Sequence, residues 1–108
     1  GETDAAAQHR RAVERAVAAS ARVRRFWWSE HYAAGAAFVA RNKWSEAERE
    51  FIRATVFLPE DPVSYFNLAS LYEHLSRPDE AVAAYQKAIE VAPDFAAARE
   101  RLHSLQTE

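Results

Sequence analysis

Residues 62–95 read PVSYFNLASLYEHLSRPDEAVAAYQKAIEVAPDF, and the 34 residues before them, 28–61, read WSEHYAAGAAFVARNKWSEAEREFIRATVFLPED. Laid over one another at a shift of 34, these stretches place Pro59 on Pro93, Glu46 on Glu80, Ala47 on Ala81 and Ala54 on Ala88. The same shift sets Phe51 on Tyr85, Phe38 on Tyr72, Tyr32 on Phe66 and Gly35 on Ala69. Small residues fall on small ones and aromatic rings on rings. A fixed period of this length marks a chain built from repeated supersecondary units, each unable to bury its apolar face alone.

The spacing inside each copy indicates a pair of packed helices. Ala47 and Ala54, like Ala81 and Ala88, lie seven apart and form a smooth stripe along one helix face. Gly35 and Ala69 stand where a larger side chain would hold a neighbouring helix away. Phe38, Phe51, Tyr72 and Tyr85 fill the space between, each ring burying about 150–250 Å² when enclosed. Helix ends follow from capping chemistry. Asp61 before Pro62 is an N-cap with proline in the first turn. Ser45-x-x-Glu48 reads as a capping box, Asp79 and Asp94 precede apolar runs, and Asn42 suits a left-handed stop. The expected helices are 4–25, 29–41, 45–58, 62–75, 79–92 and 95–106.

Composition agrees with an all-helical chain. The 108 residues hold two Gly and four Pro, no Cys and no Met, and are 49% hydrophobic and 28% charged. That length supports one domain with one core. With no Cys there is no disulfide framework or thiolate site, and no apolar run approaches the ~20 residues that span a bilayer. The start at Gly1 without Met leads to the expectation of a processed product or a domain cut from a longer protein, soluble and cytoplasmic or excised, with no compartment legible. The net charge of −2 is unevenly spread. Residues 1–27 carry six Arg against Glu2, Asp4 and Glu14, a formal +3, which leaves −5 on the remainder.

The period and the order of its residues resemble the tetratricopeptide repeat, whose pattern runs W-x2-L-G-x2-Y, then A-x3-F, then P. The second copy reads Tyr65-x2-Leu68-Ala69-x2-Tyr72, Ala81-x3-Tyr85, Pro93; the first reads His31-x2-Ala34-Gly35-x2-Phe38, Ala47-x3-Phe51, Pro59. His31 and Ala34 depart from the large apolar residues usual there. The resemblance implies an α-solenoid of two helix-turn-helix repeats with an extra N-terminal helix and a C-terminal capping helix. It divides a single domain, 1–108, into an Arg-rich helix (1–27), two repeats (28–61 and 62–95) and a cap (96–108). In the cap, Phe95, Ala98, Leu102 and Leu105 share a stripe. At the other end Val13, Ala16, Val17, Ser20, Val23 and Trp27 share a face, and residues 4–25 are expected to lie with it against the first repeat.

For function, the resemblance implies a non-catalytic interaction module that takes a partner peptide or helix in its concave groove. The groove positions carried over are Tyr32, Ala36 and Val39 in the first repeat, Val63, Phe66, Asn67, Ser70 and His74 in the second, and Arg101 in the cap. A subset of the family holds a terminal carboxylate with a clamp of Lys, Asn and Arg. Here Asn67 and Arg101 match two clamp positions, whereas Tyr32, Ala36 and Ala97 replace its Lys and Asn. The groove is therefore expected to take an apolar or amphipathic segment, with Tyr32 and Phe66 as anchors or, alternatively, packed on neighbouring helices.

Other readings are weaker on charge and spacing. Arg10, Arg11, Arg15, Arg22 and Arg25 lie opposite the Val face, so the N-terminal helix could contact an anionic membrane surface or an acidic partner. The net negative remainder argues against nucleic acid, and the modest bulk of the apolar face against a membrane. Self-association through an exposed groove is the structural alternative. Of Phe26, Trp27 and Trp28, consecutive helical residues, one should reach solvent or a partner, and the favoured reading of the three is a wedge between the first helix and the first repeat. The four His are scattered, Glu100-x-x-His103 lacks a second ligand pair, and no phosphate loop or nucleophile–base motif is present, so neither an enzyme nor a cofactor or metal site is expected.

Overall fold

The computed structural model describes residues 1–107. Five helices run in order, α1 (Asp4–Ala40), α2 (Trp44–Phe57), α3 (Pro62–His74), α4 (Pro78–Val91) and α5 (Ala96–Thr107), with no strand among the described residues. Each packs on the next, and the closest pairings are α1 with α2 and α3 with α4. This is an all-α helical-repeat solenoid.

The two repeats turn by the same device. Asn42 and Ser76, 34 residues apart, hold left-handed backbone angles of φ 58° and 57°. In each turn the next residue closes back over the helix end: the Lys43 amide donates to the Phe38 carbonyl and the Arg77 amide to the Tyr72 carbonyl, both at 2.9 Å. These are Schellman stops, which satisfy carbonyls that the helix end would leave unpaired.

The stops also displace two expected caps. α2 opens directly after Lys43 and α4 after Arg77, neither making a side-chain cap bond, so Ser45 and Asp79 already lie within the first turn. With only three residues between helices, the chain leaves one stop and enters the next helix before Ser45 or Asp79 is reached. The Ser45–Glu48 capping box is thus not formed. Glu48 instead accepts from Arg77 at 2.9 Å and from the Tyr72 hydroxyl at 3.4 Å, tying α2 to the turn of the second repeat. The Asp61 cap does form, its carboxylate accepting from the Val63 amide at 2.8 Å.

Ala47, Ala54, Ala69, Ala81, Ala88 and Ala98 are wholly buried, with Phe51, Leu68, Leu71, Tyr72 and Tyr85 among them. Gly35 shows why the first copy needs its glycine. A Cβ built there would stand 2.7 Å from Cε1 and 2.8 Å from Cδ1 of Phe51, closer than real atoms approach. α1 and α2 meet at this point because Gly35 has no side chain.

The helices expected at 4–25 and 29–41 are one helix of 37 residues. Between Arg25 and Ser29 the chain offers Phe26, Trp27 and Trp28, with no Gly or Pro to interrupt the hydrogen-bond ladder. Nor does the apolar face of residues 4–25 lie against the first repeat. α2 ends at Phe57, beside Trp27, and α1 runs on past it. Val13, Val17 and Val23 are 47, 63 and 55% exposed on the projecting part. The molecule is accordingly long, 62 × 30 × 17 Å, with a radius of gyration of 18.1 Å against about 13 Å for a compact chain of this size.

Candidate functional site

A cavity of about 300 Å³ opens where α1, α2 and α3 converge. Ala36 and Val39 reach it from α1, Trp44 and Phe51 from α2, and Asn67, Ser70, Leu71 and His74 from α3. The floor is apolar, made by the buried Phe51 and Leu71, while Ala36, Ser70 and His74 form an exposed rim. The space exists because the rim residues between the rings are small. The first Schellman stop delivers Trp44 against His74, with ring centroids 4.2 Å apart, and so closes one end.

Polar groups beside the cavity are already engaged. The Asn67 amide nitrogen donates to the Val63 carbonyl at 2.8 Å and to the Tyr32 hydroxyl at 3.3 Å. Arg101, reaching back from α5, donates through Nη2 and Nε to the Glu73 carboxylate, and the buried Tyr85 hydroxyl donates to that carboxylate as well. The guanidinium holds the Glu73 carboxyl below the usual carboxylate range, with the Tyr85 hydrogen bond acting in the same sense against the cost of burial. Burial foremost, then the Glu73 carboxylate, pushes the Tyr85 phenol up. Arg101 is therefore charge-neutralised within the fold.

A second ring cluster closes the α1–α2 pair beyond the cavity. His31 Nδ1 lies 2.6 Å from Glu50 Oε2, and its ring stacks on Phe57 at 5.5 Å. That hydrogen bond holds the Glu50 carboxyl below its ordinary range. Trp28 turns inward, donating from its indole nitrogen to Ser64 Oγ at 2.8 Å and stacking on Tyr32. Trp27, 46% exposed, covers Phe57, and Phe26, 55% exposed, touches Trp27 edge-on. Phe26 is the member of the triplet that reaches solvent most.

Residues 62–95 match the family model for the tetratricopeptide repeat. The chain carries a tetratricopeptide repeat. Solved structures of such proteins share its fold. The TPR2B-domain:pHsp70 complex of yeast Sti1 superposes with a TM-score of 0.70 at 28% identity, over 76% of this chain and 66% of that one. Two structures of MamA give TM-scores of 0.69 at 23% identity, over 72% of this chain and 43 and 46% of theirs. This chain spans just under two thirds of the first and less than half of the others. No curated protein matches it in sequence. The tetratricopeptide repeat is a protein-interaction fold, and its family is one of non-enzymatic modules.

Against the groove positions carried over from the repeat pattern, the structure brings together Ala36, Val39, Asn67, Ser70 and His74 around one cavity. Tyr32, Val63, Phe66 and Arg101 do not line it. Tyr32 packs on Trp28 and lies 5.9 Å from Phe51, centroid to centroid. Phe66 sits against Tyr85 at 5.6 Å and Phe95 at 5.2 Å, joining α3 to α4 and the cap helix. Both rings are half-buried supports, which fits the alternative of packing on neighbouring helices rather than projecting as anchors. Val63 is half-buried near the start of α3, its amide held by Asp61. Three cavity residues were not among the carried positions: Trp44, Phe51 and Leu71. Trp44 had a signal, since the 34-residue shift sets it on Pro78, an unequal pair in an otherwise matched stretch.

Proposed function

We propose that this chain is an adaptor whose groove binds a segment of a partner protein, with one large apolar side chain of that segment seated in the cavity between α1, α2 and α3. One observation carries the reading. A cavity of about 300 Å³ with an apolar floor and small, exposed rim residues leaves room for a side chain but offers no free cation. An aliphatic or aromatic side chain entering it buries area on Phe51, Leu71 and Trp44, and each Å² of apolar surface removed from water contributes about 25 cal/mol. His74 at the rim remains to hydrogen-bond the backbone of the segment, whereas the Ser70 hydroxyl already contacts the Tyr85 hydroxyl at 3.4 Å.

The segment is internal or helical in this reading rather than a chain terminus. A terminal carboxylate needs an unpaired cation, and Arg101 is held by Glu73 while Ala36 and Ala97 carry no charge. The test is selection of binding peptides from a random display library, followed by fluorescence anisotropy of enriched peptides with free and amidated C-termini. Enrichment of a large apolar residue, equal binding of both forms, and at least tenfold weaker binding to Ala36→Trp are expected. Ala36 is exposed, so the substitution fills the cavity without disturbing the core. Strong preference for a free carboxylate, or unaltered binding to Ala36→Trp, refutes the reading.

A further inference from the structure

The most conspicuous unexplained surface is the projecting part of α1. Its face is the uninterrupted continuation of the one that packs on α2. Trp27 and His31 make the last ring contacts, on Phe57, and Arg24 pairs with Glu60 at 3.7 Å. Beyond Arg24 the same side of the helix carries Val17 and Val13, 63 and 47% exposed with no neighbour to cover them.

The projecting stretch has a seven-residue period of its own. Ala6, Val13, Ser20 and Trp27 recur at intervals of seven, and His9, Ala16 and Val23 each follow three residues after one of the first three. Alternating steps of three and four are the seam of a two-helix coiled coil. We propose that this stretch of α1 pairs antiparallel with the same stretch of a second copy of the chain, forming a symmetric dimer whose binding grooves remain open.

Self-complementarity favours a second copy over other occupants. When Val13 of one helix faces Ala16 of the other, Ala6 faces Val23 and His9 faces Ser20. Apolar layers then meet apolar layers, and the two polar positions meet each other. One flank of the seam is Ala5, Ala12 and Ala19, which lets the helix axes approach closely. On the other flank the antiparallel arrangement sets Arg10 against Val17 and Arg24 against Thr3, so no like charges oppose. Arg11, Arg15, Arg22 and Arg25 fall on outward positions. The acidic start of one helix, Asp4 and the preceding Glu2, which already pairs with Arg10 of its own chain at 2.9 Å, comes level with the basic end of the other, Arg22 to Arg25. The six matched layers run about 26 Å along the helix. An antiparallel pair also keeps the two solenoids at opposite ends, where they do not collide, and satisfies the closed two-fold symmetry of most homodimers.

Sedimentation equilibrium of the full chain over a wide concentration range tests the pairing, and the expected limit is twice 12.2 kDa. Val13→Glu combined with Ala16→Glu should return the monomer. Both positions are exposed, and circular dichroism should show the solenoid still folded. Register is tested by cross-linking, which is clean because the chain has no Cys. Ala6→Cys mixed with Val23→Cys should form the heterologous disulfide, and neither variant alone should. A monomer at every concentration, a dimer that survives the double Glu substitution, or disulfides formed by Val23→Cys alone would overturn the proposal. So would a chain that stays monomeric and binds phosphatidylserine vesicles through this helix. Because the groove variant Ala36→Trp lies outside the seam, loss of peptide binding and loss of dimer are separately measured.

Discussion

At the scale of single residues, three positions have energetic consequences that can be measured. Tyr85 is 1% exposed, packs against Phe66 and hydrogen-bonds Glu73, so Tyr85→Ala removes a ring and orphans part of a polar network. Thermal or denaturant unfolding should show a loss of about 3–5 kcal/mol. Gly35→Ala forces a methyl group onto the edge of Phe51, a ring only 3% exposed that must shift to admit it. The overpacking should cost about 1–3 kcal/mol, read as a lower melting temperature without loss of helix content below it. Glu73 makes stability depend on pH. Its carboxyl titrates lower folded than unfolded, so the contribution of the Arg101 pair is fully present above the ordinary glutamate range, near pH 4.3. It is lost as pH falls through the lower folded value. In Glu73→Gln the melting temperature at neutral pH should drop and its decline below pH 4 should flatten. An unchanged acid profile would show that Glu73 is not the group responsible.

At the scale of helices and turns, the repeat turn is the element most open to improvement. Ser76 adopts a left-handed conformation that costs an L-residue on the order of 1 kcal/mol, while Asn42, its counterpart, tolerates the same angles better. Ser76→Gly should therefore raise the melting temperature, and Ser76→Val should lower it. How far the elements were legible in the sequence follows from the same turns. Asn42 announced its stop because Asn is favoured there; Ser76 did not, because its residue type points elsewhere and only the 34-residue shift connects it to Asn42. The Ser45 and Asp79 caps failed because capping chemistry is read locally, whereas the Schellman stop three residues earlier had already set the helix start. Residues 26–28 differ from expectation for another reason. The repeat phase called for a new helix at 29, and that long-range signal outweighed the plain absence of a breaker. In the site, Ala36, Val39, Asn67, Ser70 and His74 followed from repeat position, which specifies the face of a helix. Whether Tyr32 and Phe66 project or pack depends on which rings stand beside them, Trp28 and Phe95, and position in the repeat does not carry that.

At the scale of the whole molecule, the chain divides its apolar surface between two regions of different character. One is the compact solenoid of residues 28–107, where the buried Ala stripes and rings lie. The other is the projecting helix, which contacts the solenoid only at its base, through Arg24 and Trp27, and has no buried residue among those described before Arg24. Hydrogen exchange should separate them. In the Val13→Glu, Ala16→Glu variant, amides of residues 7–20 should exchange orders of magnitude faster than those of α3, because a lone helix of this length is marginal in water. Equal protection in both regions would mean that the helix is covered within a single chain.

The absence of any break between Arg25 and Ser29 has a mechanical consequence. Once paired with a second copy, a helix without a hinge acts as a rigid lever, so the groove cannot reorient independently of the stretch that begins at Asp4. From Trp27 to Asp4 the lever is about 34 Å long, and a tilt of only 10° at its base swings the far end by about 6 Å. Two grooves mounted on opposite ends of such a rod would be held at a set distance and facing, a molecular calliper. A target carrying two matching segments at that separation would be gripped far more firmly than either segment alone, and one with a different separation would gain nothing.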